Sequence, residues 1–281
     1  MAVVVISGGS DGMGRALAVE RAERGDTVVA IGSRAEGPGT GGSGTGGLGT
    51  GGLGTGGPGT TYIRADLRSI AENRRVIAEV AARWPVVDAL ILFANRQSRH
   101  RTVTVDGLEE TFAVYYLSRY LLGHGLAPQL ERADRPVIVN VAGVGMTRGA
   151  VHWDDPQLTR GYSTIAAQLQ AGRANDLLGA GHSGKARYVL YHPGFTRSGN
   201  LSRLPFLTRN LIRVLARVAA HPVADSIHPI HAMIDNPPAA QLTAIDRGRE
   251  LPLDLPTLDP AAARRLATLT ESLLQAAAPP P

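Results

Sequence analysis

The stretch that most limits how this chain can fold stands at its start. The apolar run Ala2-Val-Val-Val-Ile-Ser7 meets Gly8-Gly-Ser-Asp-Gly12-Met-Gly14, and then Arg15-Ala-Leu-Ala-Val-Glu-Arg-Ala-Glu-Arg24. Its periodicity is that of a buried strand, a glycine turn and an amphipathic helix in immediate succession. A side chain at Gly8, Gly12 or Gly14 would obstruct the turn, a ligand or the helix–strand contact. Such a turn lets backbone N–H groups reach a pyrophosphate at the helix N-terminus, where the helix dipole favours negative charge. In a chain with 34 glycines the spacing alone says little; its position between strand and helix points to a nucleotide.

The same alternation continues. Residues 27–31, 61–66, 86–94, 136–141 and 186–191 read as strands, and residues 69–84, 106–122 and 168–178 as helices. The strands are too continuously apolar to be half exposed, and their alternation with helices predicts an α/β domain, a parallel sheet wound on both faces. Right-handed crossovers then put the ligand across the carboxyl ends of the strands. Residues 37–59 interrupt the pattern with a five-residue repeat, Gly-Thr-Gly-Gly-x, beginning at Gly39, Gly44, Gly49 and Gly54. Glycine this dense has no core to bury and high backbone entropy, so a mobile surface insertion is expected there. Residues 197–281 read as a helical, proline-interrupted cap and tail on a single domain spanning 1–281, with an amphipathic helix over 260–274.

Composition removes several function classes. There is no cysteine, which excludes disulfides, thiol catalysis and cysteine–metal sites. The formal charge of +5 is spread among interleaved Arg and Asp/Glu without a basic stripe, which argues against nucleic acid. No apolar run is long enough to span a membrane, and the chain enters a strand without a signal-like leader, so a cytoplasmic location is expected. His228-x-x-His231 has no third ligand at a sensible spacing, so no metal is expected. Arginine far outnumbers the single lysine, Lys185, which with the abundance of Ala, Gly and Pro suits a GC-rich genome; together with the substituted catalytic positions described below, this composition makes a tailoring role in secondary metabolism the expectation.

These residues resemble the short-chain dehydrogenase/reductase family, particularly its retinol-dehydrogenase-like branch, which implies a Rossmann-type sheet. The resemblance runs from the first strand to about Thr196. It implies cofactor contacts from Gly8, Ser10, Gly12, Met13 and Gly14 in the turn, Ser33 and Arg34 after the second strand, and Asp66 and Leu67 near the adenine. Ala94 and Asn95 at the end of the fourth strand, and Pro193, Gly194 and Thr196 in the loop near the nicotinamide, complete the set. NAD binders usually place a carboxylate after the second strand; Ser33 and Arg34 suit a 2′-phosphate instead, so NADP(H) is the expected cofactor. The resemblance also implies a small-molecule substrate and a homo-oligomer, dimer or tetramer, formed through the helices at 108–122 and 168–178.

The catalytic positions depart from the family. Its members use a tyrosine acid, a lysine four residues on, a serine and an asparagine; here the matched residues are Gln168, Gly172, Gly143 and Tyr115. Tyr162 is followed four residues later by Ala166, so it does not restore the pair. A glutamine amide donates a hydrogen bond but yields no proton near neutral pH. Three readings follow: hydride transfer to an activated acceptor such as an iminium or conjugated enone, a non-redox cyclisation or isomerisation on bound NADP, and a silent cofactor-binding regulator. The first is preferred, with Gln168 orienting the substrate and Tyr115 supplying the proton; residues 152–155 are a weaker proton source.

Overall fold

The computed structural model describes residues 1–35, 37, 53–55, 59–194 and 223–277. Its centre is β1 (Val3–Ser7), where Val4, Val5 and Ile6 are fully buried. Burial of such side chains is worth roughly 1.5–3 kcal/mol each, which fixes this strand in the middle of the sheet. The remaining strands are β2 (Thr27–Gly32), β3 (Leu53–Thr55), β4 (Thr60–Arg64), β5 (Ala89–Leu92), β6 (Val137–Val141), β7 (Arg187–His192), β8 (Leu242–Asp246) and β9 (Arg249–Glu250). They form one sheet in the order β3-β4-β2-β1-β5-β6-β7-β8-β9, parallel from β4 to β8 and antiparallel only at its two edges. The expected doubly wound α/β fold is present. The strand order reverses between β1 and β5, and a crevice opens there at their carboxyl ends.

Helices cover both faces. On one side α1 (Gly12–Glu23) packs with α6 (Val223–Asp235) through Leu17, Ala18, Ile227 and Ile230. His231 Nε2 lies 2.9 Å from Glu20 Oε2 across this contact, so the histidine expected to be no ligand joins the two helices. Among the described residues no group of three His, Asp or Glu could hold a metal, and no helix is long and apolar enough to cross a membrane. The other face carries α2 (Ile70–Arg83), α3 (Ser118–Gly125), α4 (Ala127–Arg132) and α5 (Thr164–Ala180). The C-terminal α7 (Pro260–Ala276) lies over the outer side of this layer, where Ala263 and Leu266 join Phe112, Tyr116, Ala174 and Leu177 in one cluster. Tyr116 Oη bonds Thr270 Oγ1 at 2.7 Å in its middle. The helices named for self-association thus have α7 packed against them within the chain.

Three expectations change. The helix expected over 106–122 starts only at Glu110, because Asp106 turns away to accept the Ile70 amide at 2.8 Å and cap α2. Gly107 makes that turn at φ +77°, and the Glu109 carboxylate then accepts from the Thr111 and Phe112 amides at 2.8 and 2.7 Å. The first turns, Phe112–Leu117, are π-helical before α3 begins. The C-terminal part, expected to be helical throughout, adds β8 and β9 to the sheet. Their signal is weak because Thr243 and Ala244 replace large apolar residues and the hairpin turns at Arg247 with φ +49°. Of the glycine-rich segment, Leu53–Thr55 pairs with Thr61–Ile63 as an edge strand; the rest of that expected mobile insertion lies almost wholly outside the described residues.

Candidate active site

The turn after β1 is closed tightly enough that only glycine fits. Gly8 has φ +75°, and a Cβ there would stand 2.9 Å from the Ala94 amide nitrogen at the end of β5. A Cβ on Gly14 would strike the Gly8 carbonyl oxygen, and one on Gly32 would strike Ser10. Asp11 caps α1, its carboxylate accepting from the Gly12 amide at 2.9 Å. The amides of Met13 and Gly14 follow in the first helical turn, where N–H groups have no intrahelical partner. The cradle therefore has the backbone form that admits a phosphate.

Around it, Ser33 and Arg34 are exposed beyond β2. Arg34 forms an ion pair with Asp11, and its carbonyl accepts from Tyr62 Oη at 2.8 Å. Leu67 is buried, whereas the Asp66 carboxylate is gripped by Arg68, whose Nη2 lies at 2.6 Å. Burial works against the charge on Asp66, but the Arg68 hydrogen bonds outweigh it and hold the carboxyl below its ordinary range. Arg68 continues to Glu110 at 3.0 Å, and Arg96 meets the same carboxylate at 3.2 Å. Asp66 is thus already engaged on the side where the resemblance puts adenine.

The crevice leads into a cleft of about 440 Å³. Tyr115, Gly143, Gln168 and Gly172, from the π-helical turn, the loop after β6 and α5, all line it. Met13, Asn95, Pro193 and Gly194 line it as well, while Thr196 lies outside the described residues. Ala94 is buried at the end of β5 beneath. The Tyr115 hydroxyl accepts from the Gly143 amide at 3.3 Å. Burial raises the Tyr115 pKa, while the Arg119 charge and the Gly143 hydrogen bond pull it back. A Cβ at Gly143 or Gly172 would meet nothing within 4 Å, so the cleft has unfilled room at both positions.

Gln168 is hydrogen-bonded to the loop after β5. Its Nε2 donates to the Arg96 carbonyl at 2.9 Å and to Asn95 Oδ1 at 3.3 Å, and its Oε1 accepts from Asn95 Nδ2 at 3.1 Å. The amide is committed to holding the loop after β5. Tyr162 also points elsewhere, donating to the Ser98 carbonyl at 2.9 Å. Asp155 accepts from the Thr159 and Arg160 amides at 2.9 Å, and Trp153 lies under Arg265, so this loop is held by local structure.

A polar floor underlies the cleft, built from residues that carry no local sequence motif. Arg119 is fully buried and donates to Asn140 Oδ1 and, at 2.9 Å each, to the carbonyls of Val141 and Ala94. Asn140 in turn donates to Asn175 Oδ1 at 3.0 Å and to Tyr188 Oη at 2.8 Å, and Asn175 donates to the Tyr115 carbonyl at 2.7 Å. His192, which lines the cleft, pairs through Nδ1 with Asp246 Oδ1 on β8 at 2.7 Å. The signal that could have revealed Arg119 was a cation four residues after Tyr115 in an otherwise apolar stretch.

The arrangement joins a phosphate-admitting turn to a cleft with a buried phenol, the layout of a nucleotide-dependent active site. Similarities to known proteins agree. Dehydrogenase/reductase SDR family member 12 of Bos taurus is 30% identical over 159 residues, 56% of this chain. That match covers 47% of the relative, so the chain spans about half its length. A crystal structure of an uncharacterised protein from Mycobacterium paratuberculosis superposes with a TM-score of 0.71 at 21% identity, covering 98% of this chain and 94% of that one. A Beutenbergia cavernae protein, described as an NAD(P)-dependent gluconate 5-dehydrogenase with bound NADP, superposes with a TM-score of 0.59 at 20% identity, covering 88% and 96%. These two likenesses establish the fold. The sequence pattern of the short chain dehydrogenase family matches residues 2–154, and the chain belongs to the short-chain dehydrogenase/reductase family.

Proposed function

We propose that this chain is an NADP(H)-dependent oxidoreductase that delivers hydride to an already activated acceptor, an iminium or a conjugated enone, on a small organic molecule. The observation that carries the reading is the cleft's chemistry: Tyr115 is the phenol inside it, while the positions of the family's acid and lysine hold Gln168 and Gly172. Gln168 is tied to Asn95 and Arg96 and has no proton to give. An acceptor carrying positive charge or conjugation lowers the demand on an acid, whose loss typically reduces a carbonyl reduction by about 100- to 10,000-fold.

The residues present fit a nicotinamide dinucleotide phosphate. Gly8 and Gly14 leave backbone where side chains would block the pyrophosphate, and the amides of Met13 and Gly14 head α1. The two residues that directly follow β2 are Ser33 and Arg34 rather than a carboxylate, and Arg34 is the cation that a 2′-phosphate would draw from Asp11. The bound NADP seen in the Beutenbergia cavernae neighbour supports the same choice. When bound, the cofactor would supply the hydride. The chain's part is to orient the acceptor between Met13, Gly143 and Gly194, and to hold a proton at Tyr115 Oη.

The test is NADPH consumption against a panel of cyclic iminium ions, enones and simple ketones. Turnover of iminium or enone with little on ketones is expected. Product formed without NADPH consumption would replace the reading with a non-redox one, and NADPH binding without turnover on any member of the panel would overturn it.

A further inference from the structure

Beneath the cleft lies a buried cation whose hydrogen-bond acceptors are all neutral: the Asn140 amide oxygen and two backbone carbonyls. Taking a guanidinium out of water without a carboxylate is strongly unfavourable, whereas a leucine or methionine in the same space would meet no such penalty. Its Nε has no hydrogen-bond partner either, so this is no fully satisfied polar plug. What it does have is a ring. Arg119 Cζ sits 4.6 Å from the centre of Tyr115, one helical turn back along the chain, and that tyrosine's hydroxyl reaches the cleft at Gly143.

We propose that Arg119 is the positioning residue of Tyr115: it clamps the carboxyl ends of β5 and β6 beneath the phenol, and its charge stabilises the phenolate left when Tyr115 releases a proton. The inference rests on the reading of Tyr115 as proton donor given above. Tyr115-x-x-x-Arg119 supplies, from the π-helical turn and the start of α3, the phenol–cation couple that Gln168 and Gly172 do not supply from α5. Arg119 is pulled down by burial to about 10, so it carries its charge at neutral pH. The other groups acting on the couple are Asp176 from α5, which opposes ionisation of Tyr115, and Tyr188 from β7, which faces Arg119; His192 lines the same cleft from β7.

The test places difluorotyrosine at position 115 of the full chain and follows its fluorine resonance against pH. The parent is compared with Arg119→Lys, which keeps a charge, and Arg119→Gln, which keeps a hydrogen-bond donor. Arg119→Gln is expected to titrate about one to two pH units higher, the effect of losing a cation at such a distance. Arg119→Lys is expected to stay within about half a unit of the parent. A midpoint in Arg119→Gln within about 0.3 units of the parent would overturn the proposal. If Arg119→Gln does not fold, Arg119→Lys decides: a retained midpoint supports the role of charge, and a rise of more than about one unit removes it. This measurement needs no turnover. Failure of Tyr115 as proton donor would appear separately, as undiminished NADPH-linked activity in Tyr115→Phe.

Discussion

Gly143→Ser, Gln168→Tyr and Gly172→Lys, introduced together, should give this cleft the ability to reduce an ordinary ketone. The space exists: a Cβ at either glycine meets no atom within 4 Å. The fold should tolerate the change. Gly172 lies inside α5, where replacing glycine relieves a helix penalty of about 0.5–1 kcal/mol. Against this, Gln168 gives up its hydrogen bonds to Asn95 and Arg96, each worth about 0.5–1.5 kcal/mol net. The balance is a loss of about 0.5–4 kcal/mol, within what a domain of this size withstands. A positioned acid contributes about 100- to 10,000-fold, or about 3–5 kcal/mol of barrier, so an aryl ketone inert with the parent should be reduced at least about a hundredfold faster. NADPH absorbance reads the rate, fluorescence titration the cofactor affinity, and circular dichroism the fold. A triple variant that folds and binds NADPH but stays within about tenfold of the parent would refute the reasoning that the missing acid couple bars ketones. So would a parent that already reduces ketones as fast.

Arg34→Ala should weaken NADPH binding by about 10- to 100-fold, the worth of a charge-assisted contact, and leave NADH binding nearly unchanged; equal losses in parallel titrations would show that Arg34 does not read the 2′-phosphate. Asp176, almost fully buried, accepts from the Gly145 amide at 3.1 Å, and burial pushes its carboxyl up to about 7. Because its folded pKa lies above its unfolded one, its favourable contribution is complete below about pH 4 and is lost as pH rises to about 7. Asp176→Asn should therefore gain stability over the parent from pH 5 to pH 8 by up to a few kcal/mol, read by urea unfolding at both values; an equal difference at the two would contradict this. With α7 packed on the outer side of the π-helical turn and α5, the full chain is expected to sediment as a monomer at low micromolar concentration. A dimer would mean pairing through another face.

How far the sequence could be read depended on how local the deciding physics was. Strands β1, β2, β5, β6 and β7 are buried on both faces and read as continuous apolar runs, and the glycine turn declares its own geometry. The cleft residues Tyr115, Gly143, Gln168 and Gly172 were legible because each is placed by an element visible in the chain. The boundary at Glu110 was not, since it is set by Asp106 reaching the Ile70 amide 36 residues away. Nor were the bonds of Gln168, made across 73 residues to Asn95.

Tyr115 and Tyr116 show the limit most clearly. The two tyrosines are adjacent in one helical segment, yet the π-helical turn divides them between two layers. Tyr115 belongs to a small cluster with Ala142 and Ala171 at the cleft, while Tyr116 is buried against α7 and bonded to Thr270. Widened turns of this kind occur at functional sites because they re-aim a side chain without breaking the helix. Here the widening seats the phenol over Arg119 and, one residue on, fastens the same segment to the C-terminal helix. The seat of Tyr115 is thus set from both sides: by the guanidinium below it and by the α7 contact that holds its neighbour.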